Sequence, residues 1–156
     1  MKKILLIAAA FISFAAGAQE KKADDLIQVK TEVYNFGKIK QGVPVTYYFE
    51  ITNVSNKPVV IENTWAGCGC TTPGKIEQPI APKATTRMKV DYNAAAAAPF
   101  EKDVFVKVAG VNEPKVLKIK GEVLDAAAYE AYVKSDEYKK AQAARAAKKA
   151  AAPRKK

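Results

Sequence analysis

The chain has 156 residues, with 26 lysines and arginines against 16 aspartates and glutamates, two cysteines and no histidine. Without histidine it lacks the commonest general base and the usual partner of a nucleophilic serine or cysteine, which argues against an enzyme. The formal charge of +10 does not make it a nucleic-acid-binding domain either: residues 19–138 carry 16 charges of each sign, whereas such a domain concentrates its charge on a folded face.

Met1-Lys2-Lys3 is a short basic start, Ile4 to Ala16 is apolar or small apart from Ser13, and Ala16-Gly17-Ala18 has the small-x-small form of a processing site. Residues 1–18 are therefore expected to be a secretory signal peptide. The apolar run of 13 residues falls short of the roughly 20 that a membrane-spanning helix needs, so no integral span is expected. The mature chain should be exported, to the periplasm rather than the medium, into an oxidising space. Residues 19–30 read as an N-terminal linker.

From residue 31 the pattern is alternation. Val45, Tyr47, Phe49 and Ile51 fall on one face of a strand, with Thr46, Glu50 and Thr52 on the other,. Met88, Val90 and Tyr92 alternate in the same way, as do Val104, Val106 and Val108, and then Leu117, Ile119 and Val123. Such strands are half-buried, as in antiparallel sheets, and turn residues separate them: Lys40-Gln41-Gly42, Asn53 to Pro58, Ala81-Pro82-Lys83, and Gly110 to Pro114,. The spacing predicts strands over 33–36, 43–53, 58–64, 87–92, 100–108 and 116–123, which suits a small sandwich over 31–124. Ala94 to Ala98 before Pro99 reads as a loop.

"WAGCGCTTP", residues 65–73, interrupts this pattern with both cysteines and the lone tryptophan. In an extended strand residues i and i+2 lie about 6.6 Å apart on one face, near the upper limit for a disulfide. Gly69 eases that limit, because glycine reaches positive φ and can bend the pair closer. A three-residue bridge stabilises by only about 1.6 kcal/mol, so stability alone does not account for it. Cys68 and Cys70 are accordingly the redox or disulfide candidates, with Trp65, Gly67, Gly69 and Thr71 shaping the loop around them. Two thiolates also suit a soft ion such as Cu(I), but a closed zinc site needs four ligands. No resident metal and no cofactor is assigned.

Beyond Leu124 alanine, lysine and tyrosine dominate, which is helix-forming material,. Asp125 is placed to cap a short helix over 125–138, and Ser135-Asp136-Glu137 could restart it. Residues 139–156 hold eight cations: Lys139, Lys140, Arg145, Lys148, Lys149, Arg154, Lys155 and Lys156. With no apolar residue larger than alanine, this tail has nothing to bury and reads as a solvated helix or disorder that offers an electrostatic contact.

The run "VYNFGKIKQGVPVTYYFEITNVSNKPVVIENTWAGCGCTTP", followed by "QPIAPKATTRMKVDYN", resembles the bacterial domain of unknown function 1573. The matching positions are Phe36, Gly37, Ile39 and Gly42, then Phe49 and Asn53, then Cys68, Gly69, Cys70 and Thr71, then Pro82, Val90 and Tyr92. Lys83 stands where the family usually has glycine after that proline, and "NAAAAAPFEKD" replaces a glycine-bearing turn. The resemblance implies an immunoglobulin-like antiparallel β-sandwich of about seven strands, similar to sperm-protein-like and ciliary domains, in an exported bacterial protein; it implies no activity.

The leading expectation is an exported, non-enzymatic binding or assembly module. Its partner would be an envelope protein or an anionic surface, met through edge strands and the basic tail. The alternative is thiol-disulfide or soft-metal handling at Cys68 and Cys70. Nucleic-acid binding through the tail ranks below both.

Overall fold

The computed structural model describes residues 21–150, with side chains to Ala147. The expected signal segment and the tail residues Arg154, Lys155 and Lys156 lie outside the described residues. Eight strands are followed by two helices: β1 (Ile27–Val29), β2 (Val33–Lys40), β3 (Val45–Asn53), β4 (Ile61–Ala66), β5 (Thr71–Pro73), β6 (Thr85–Tyr92), β7 (Pro99–Val108), β8 (Lys115–Leu124), α1 (Ala126–Lys134) and α2 (Asp136–Ala150). The strands form two four-stranded sheets, one in the order β1-β3-β6-β5 and the other β2-β8-β7-β4.

Period-two burial makes the sandwich. Phe49, Ile51, Met88 and Val90 from the first sheet meet Val104, Val106, Val108, Leu117 and Ile119 from the second, all at most 1% exposed. Each such side chain contributes about 1.5–3 kcal/mol when removed from water. The alternating faces read in the sequence are the faces that pack, so the β-sandwich follows from pattern.

Three features depart from that reading. The segment 19–30 is not only a linker: Ile27 to Val29 pair with Asn53 to Ile51 of β3, and Ile27 is fully buried. Three residues give too short an alternation to stand out. Lys115, 2.6 Å from both Asp24 and Glu32, ties the same segment to β8. Burial pulls the Lys115 pKa down, but those two carboxylates outweigh it and leave it raised.

Second, β2 runs parallel to β8, although the remaining ladders are antiparallel. Alternation reports one buried face; it does not report direction, which depends on where a chain-distant strand arrives. Third, β5 is a short strand inside the cysteine segment, paired through Thr71 to Tyr92 of β6.

The β2–β8 ladder contains a bulge. Asn35 pairs with Lys120 and Lys38 with Glu122, so Phe36 and Gly37 together face Gly121. Gly37 sits at φ +68, where its amide donates to Asn35 Oδ1 at 2.7 Å. This is where a residue without Cβ is needed. Phe36 turns into the core, 5% exposed and edge-on to Tyr34 at 4.9 Å.

The two loop departures from the family pattern share one backbone consequence. Lys83 has φ +61 and Ala94 φ +51, the two non-glycine residues in the left-handed region among the described residues. That conformation costs an L-residue about 1–2 kcal/mol. Lys83 recovers part of it by donating from Nζ to the Val54 carbonyl at 2.5 Å. Lys83→Gly is therefore expected to stabilise the fold by about 0.5–1 kcal/mol, measured as an upward shift of the urea midpoint at unchanged slope; an unchanged or lowered midpoint would contradict it.

The helices begin as read. Asp125 accepts from the Ala128 amide at 2.8 Å, and the Ser135 hydroxyl donates to the Tyr132 carbonyl at 2.6 Å, ending α1 before α2 starts at Asp136. The tail, however, does find a docking contact. Lys38 reaches Glu137 at 2.9 Å and lies 5.1 Å over the Tyr132 ring, and the Arg145 guanidinium donates to the Phe36 carbonyl that the bulge leaves free.

Candidate functional site

Two places stand out from the described residues, and the first is the cysteine turn. β4 belongs to one sheet and β5 to the other, so residues 67–70 carry the chain across the sandwich edge. The Thr71 amide donates to the Cys68 carbonyl at 3.3 Å and the Asn93 amide to the Cys70 carbonyl at 3.0 Å, which fixes a tight turn. This turn brings the two Cα atoms to 5.3 Å and the sulfurs to bonding distance as a disulfide. Gly69 does not use positive φ to achieve it; the turn hydrogen bond does the bending instead.

Around the bridge the expected loop residues divide. Thr71 is 4% exposed, with its hydroxyl 3.8 Å from both sulfurs. Trp65 is not a loop residue over the bridge: it is part of β4, cross-strand from Phe105, with the rings stacked at 5.2 Å. Phe105 is also cross-strand from Val116 of β8, so Trp65, Phe105 and Val116 form an apolar row on the outer face of that sheet, Trp65 being 37% and Val116 41% exposed. Period two carries this row and could have predicted it, had Trp65 been read as strand. Met88, the one methionine that could have aided soft-metal binding, is 1% exposed in the core. Among the described residues no three His, Cys, Asp or Glu gather closely enough to share a metal ion.

The second place is a groove of about 740 Å³ along the side of the sandwich, between β2 of one sheet and β3 of the other. Its floor is Tyr34, Phe36, Ile39, Val45 and Tyr47, with Tyr34 and Tyr47 stacked at 3.5 Å across the two sheets. Lys30, Glu50 and Arg87 stand at the rim, with Arg145 of the tail. Arg87 and then Lys30 hold the Glu50 carboxyl below its ordinary range through hydrogen bonds, so Glu50 is ionised and offsets part of their charge.

Both walls of the groove offer backbone. β2 is the last strand of its sheet, and β1 covers only Ile51 to Asn53 of β3 before the Lys30 amide closes on the Glu50 carbonyl at 3.2 Å. Thr46 and Tyr48 have the parity of Glu50, so their N–H and C=O groups point to the same edge of β3, beyond the end of β1,.

The tail cations are not one patch. Lys139 pairs with Asp136 at 3.1 Å and Arg145 is engaged at the bulge. Lys140 is exposed, and Lys148 and Lys149 lie on α2. No described helix is long and apolar enough to cross a membrane.

A family model described as "Protein of unknown function (DUF1573)" matches residues 27–123. No curated protein matches the chain. Among solved structures, the chain is similar to a protein of unknown function from Porphyromonas gingivalis W83, at 15% identity and a TM-score of 0.53 over 62% of this chain and 46% of that one. It is also similar to the VesB protease of Vibrio cholerae, at 14% identity and a TM-score of 0.53 over 64% of this chain and 32% of that one. The ASH/PapD-like domain of human CEP192 is covered almost whole, 96% of it by 74% of this chain, at 8% identity and a TM-score of 0.53. The chain thus spans under half of each of the two bacterial proteins, and at these identities the likeness is one of fold.

Proposed function

The chain belongs to the DUF1573 family, and from that premise we propose that it is an exported, non-enzymatic binding module that holds an extended segment of an envelope partner along the open side of its sandwich. The observation that supports this is the aromatic groove between β2 and β3, where the backbone of Thr46 and Tyr48 is left to pair with an added strand. Main-chain hydrogen bonds would supply affinity and the apolar floor would select alternate side chains. The cationic rim favours acidic residues in the guest, with Arg145 and the tail extending that preference.

Peptides selected from a random displayed library on the full exported protein test the reading. They are expected to alternate apolar with acidic residues, to slow amide exchange at Thr46 and Tyr48, and to weaken in high salt. Tyr34→Asp is expected to lower their affinity by at least about tenfold, the equivalent of about 1.4 kcal/mol, with Arg145→Ala causing a smaller loss and both variants checked by melting. Binding that leaves those amides unprotected, or that survives Tyr34→Asp in a folded protein, would remove it.

A further inference from the structure

The binding reading leaves the cysteine turn unused, and the turn has features that a staple does not need. Closing a loop of only three residues removes little freedom from the unfolded chain, so it stabilises little. Gly67 and Gly69 flank Cys68, yet neither has a positive φ, and a Cβ built on either meets nothing within 4 Å. Any residue would fit at these positions, so the fold does not require glycine there. Both positions face open space, so the turn carries no side chain on either side of Cys68.

The two sulfurs also differ. Cys70 packs against the hydrophobic core, and its carbonyl is held by the Asn93 amide. Cys68 is half-buried as Cys70 is, but it is not part of that packing. Between them stands the Thr71 hydroxyl, buried and 3.8 Å from each sulfur. A hydroxyl placed there can donate to whichever sulfur carries negative charge, which favours the thiolate over the thiol.

We propose that Cys68–Cys70 is a thiol-disulfide exchange centre for the dithiol of a partner protein, with Cys68 the sulfur attacked and Thr71 the residue that stabilises Cys70 as leaving thiolate. A partner thiolate attacks Cys68 Sγ. The Cys68–Cys70 bond breaks, its electron pair goes to Cys70 Sγ, and a mixed disulfide joins the partner to Cys68. The partner's second thiolate then attacks its own sulfur in that mixed disulfide and releases Cys68 as thiolate. Two electrons and two protons leave the partner dithiol and end on Cys68 and Cys70 as thiols, while the partner gains the disulfide. The centre does not depend on the groove and stands or falls separately from it.

Glutathione serves as the probe. In the native full-length protein, reduced glutathione should open the bridge faster than global unfolding, measured by alkylation and mass against hydrogen exchange. With oxidised glutathione, Cys70→Ser, which leaves Cys68, should form the mixed disulfide at least about tenfold faster than Cys68→Ser, since access decides which sulfur is attacked. Thr71→Val should keep the fold, raise the Cys70 thiol pKa in the Cys68→Ser background, read as thiolate absorbance against pH, and slow reduction of the bridge by about threefold. Reduction no faster than unfolding, equal reactivity of the two single-cysteine variants, or a Thr71→Val protein with unchanged thiol pKa and rate would each overturn the proposal.

Discussion

Asn53→Leu is expected to cost the fold about 3 kcal/mol, although the two side chains are close in size. Asn53 is fully buried at the end of β3 and all four of its hydrogen-bonding positions there are used. Nδ2 donates to the Lys57 and Ile80 carbonyls at 2.7 and 2.8 Å, and Oδ1 accepts from the Ser55 amide and hydroxyl at 2.8 and 2.7 Å. Four bonds of about 1 kcal/mol net, with the Ser55 amide left unpartnered, set the magnitude. Asn53→Asp sharpens the test, since an ionised carboxylate would face two carbonyl oxygens with no proton to offer. That variant is expected to be at least as destabilised at neutral pH. Burial and those carbonyls would raise its folded-state pKa, so part of the loss should return as pH falls and the carboxyl protonates. Urea unfolding of both variants decides the matter; a cost under about 1 kcal/mol for leucine would mean that the network is not what holds the 53–58 turn.

The second large effect is expected at Gly121, where alanine should cost about 3 kcal/mol. A Cβ there would stand 2.7 Å from the Gly37 carbonyl oxygen and 2.9 Å from the Phe100 ring. The first neighbour is backbone, fixed by the bulge and by φ +68 at Gly37, and the second is a ring stacked on Tyr92 at 4.0 Å. Neither can give way without pulling β2 off β8. Because Arg145 is bound to the Phe36 carbonyl of the same bulge, amide exchange in α2 should rise together with that in β2. A Gly121→Ala protein with wild-type stability and an unaltered tail would show that the bulge is soft.

These two residues illustrate different degrees of legibility. Asn53 closes a strand and opens a turn, and it falls within the family pattern, so its importance is visible in the chain even though its four partners are not. Gly121 interrupts an alternating run without any local sign of why, because the atom it must avoid belongs to a strand about eighty residues earlier in sequence. Lys83 lies between these cases: the pattern marks it as a departure, and the backbone supplies the reason.

The candidate sites divide in the same way. The cysteine pair is conspicuous by spacing alone, and its bonding distance follows from a local turn. Trp65 continues the period-two alternation of β4, but the glycines and cysteines that follow it mask the strand, and its neighbours in the apolar row come from two other strands. The groove could not be read at all: Tyr34 and Tyr47 occupy ordinary alternating positions, and only the packing of one sheet on the other stacks them.

Local chemistry was enough to determine the strands with a long alternation, the helix start at Asp125 and the two-sheet body, since period-two burial and capping depend on neighbours a few residues away. The direction of β2, the pairing of β1, the docking of the tail through Arg145 and the opening between β2 and β3 were decided only in three dimensions. Each depends on which distant backbone groups are left unpaired once the core has closed, and a linear pattern does not carry that information.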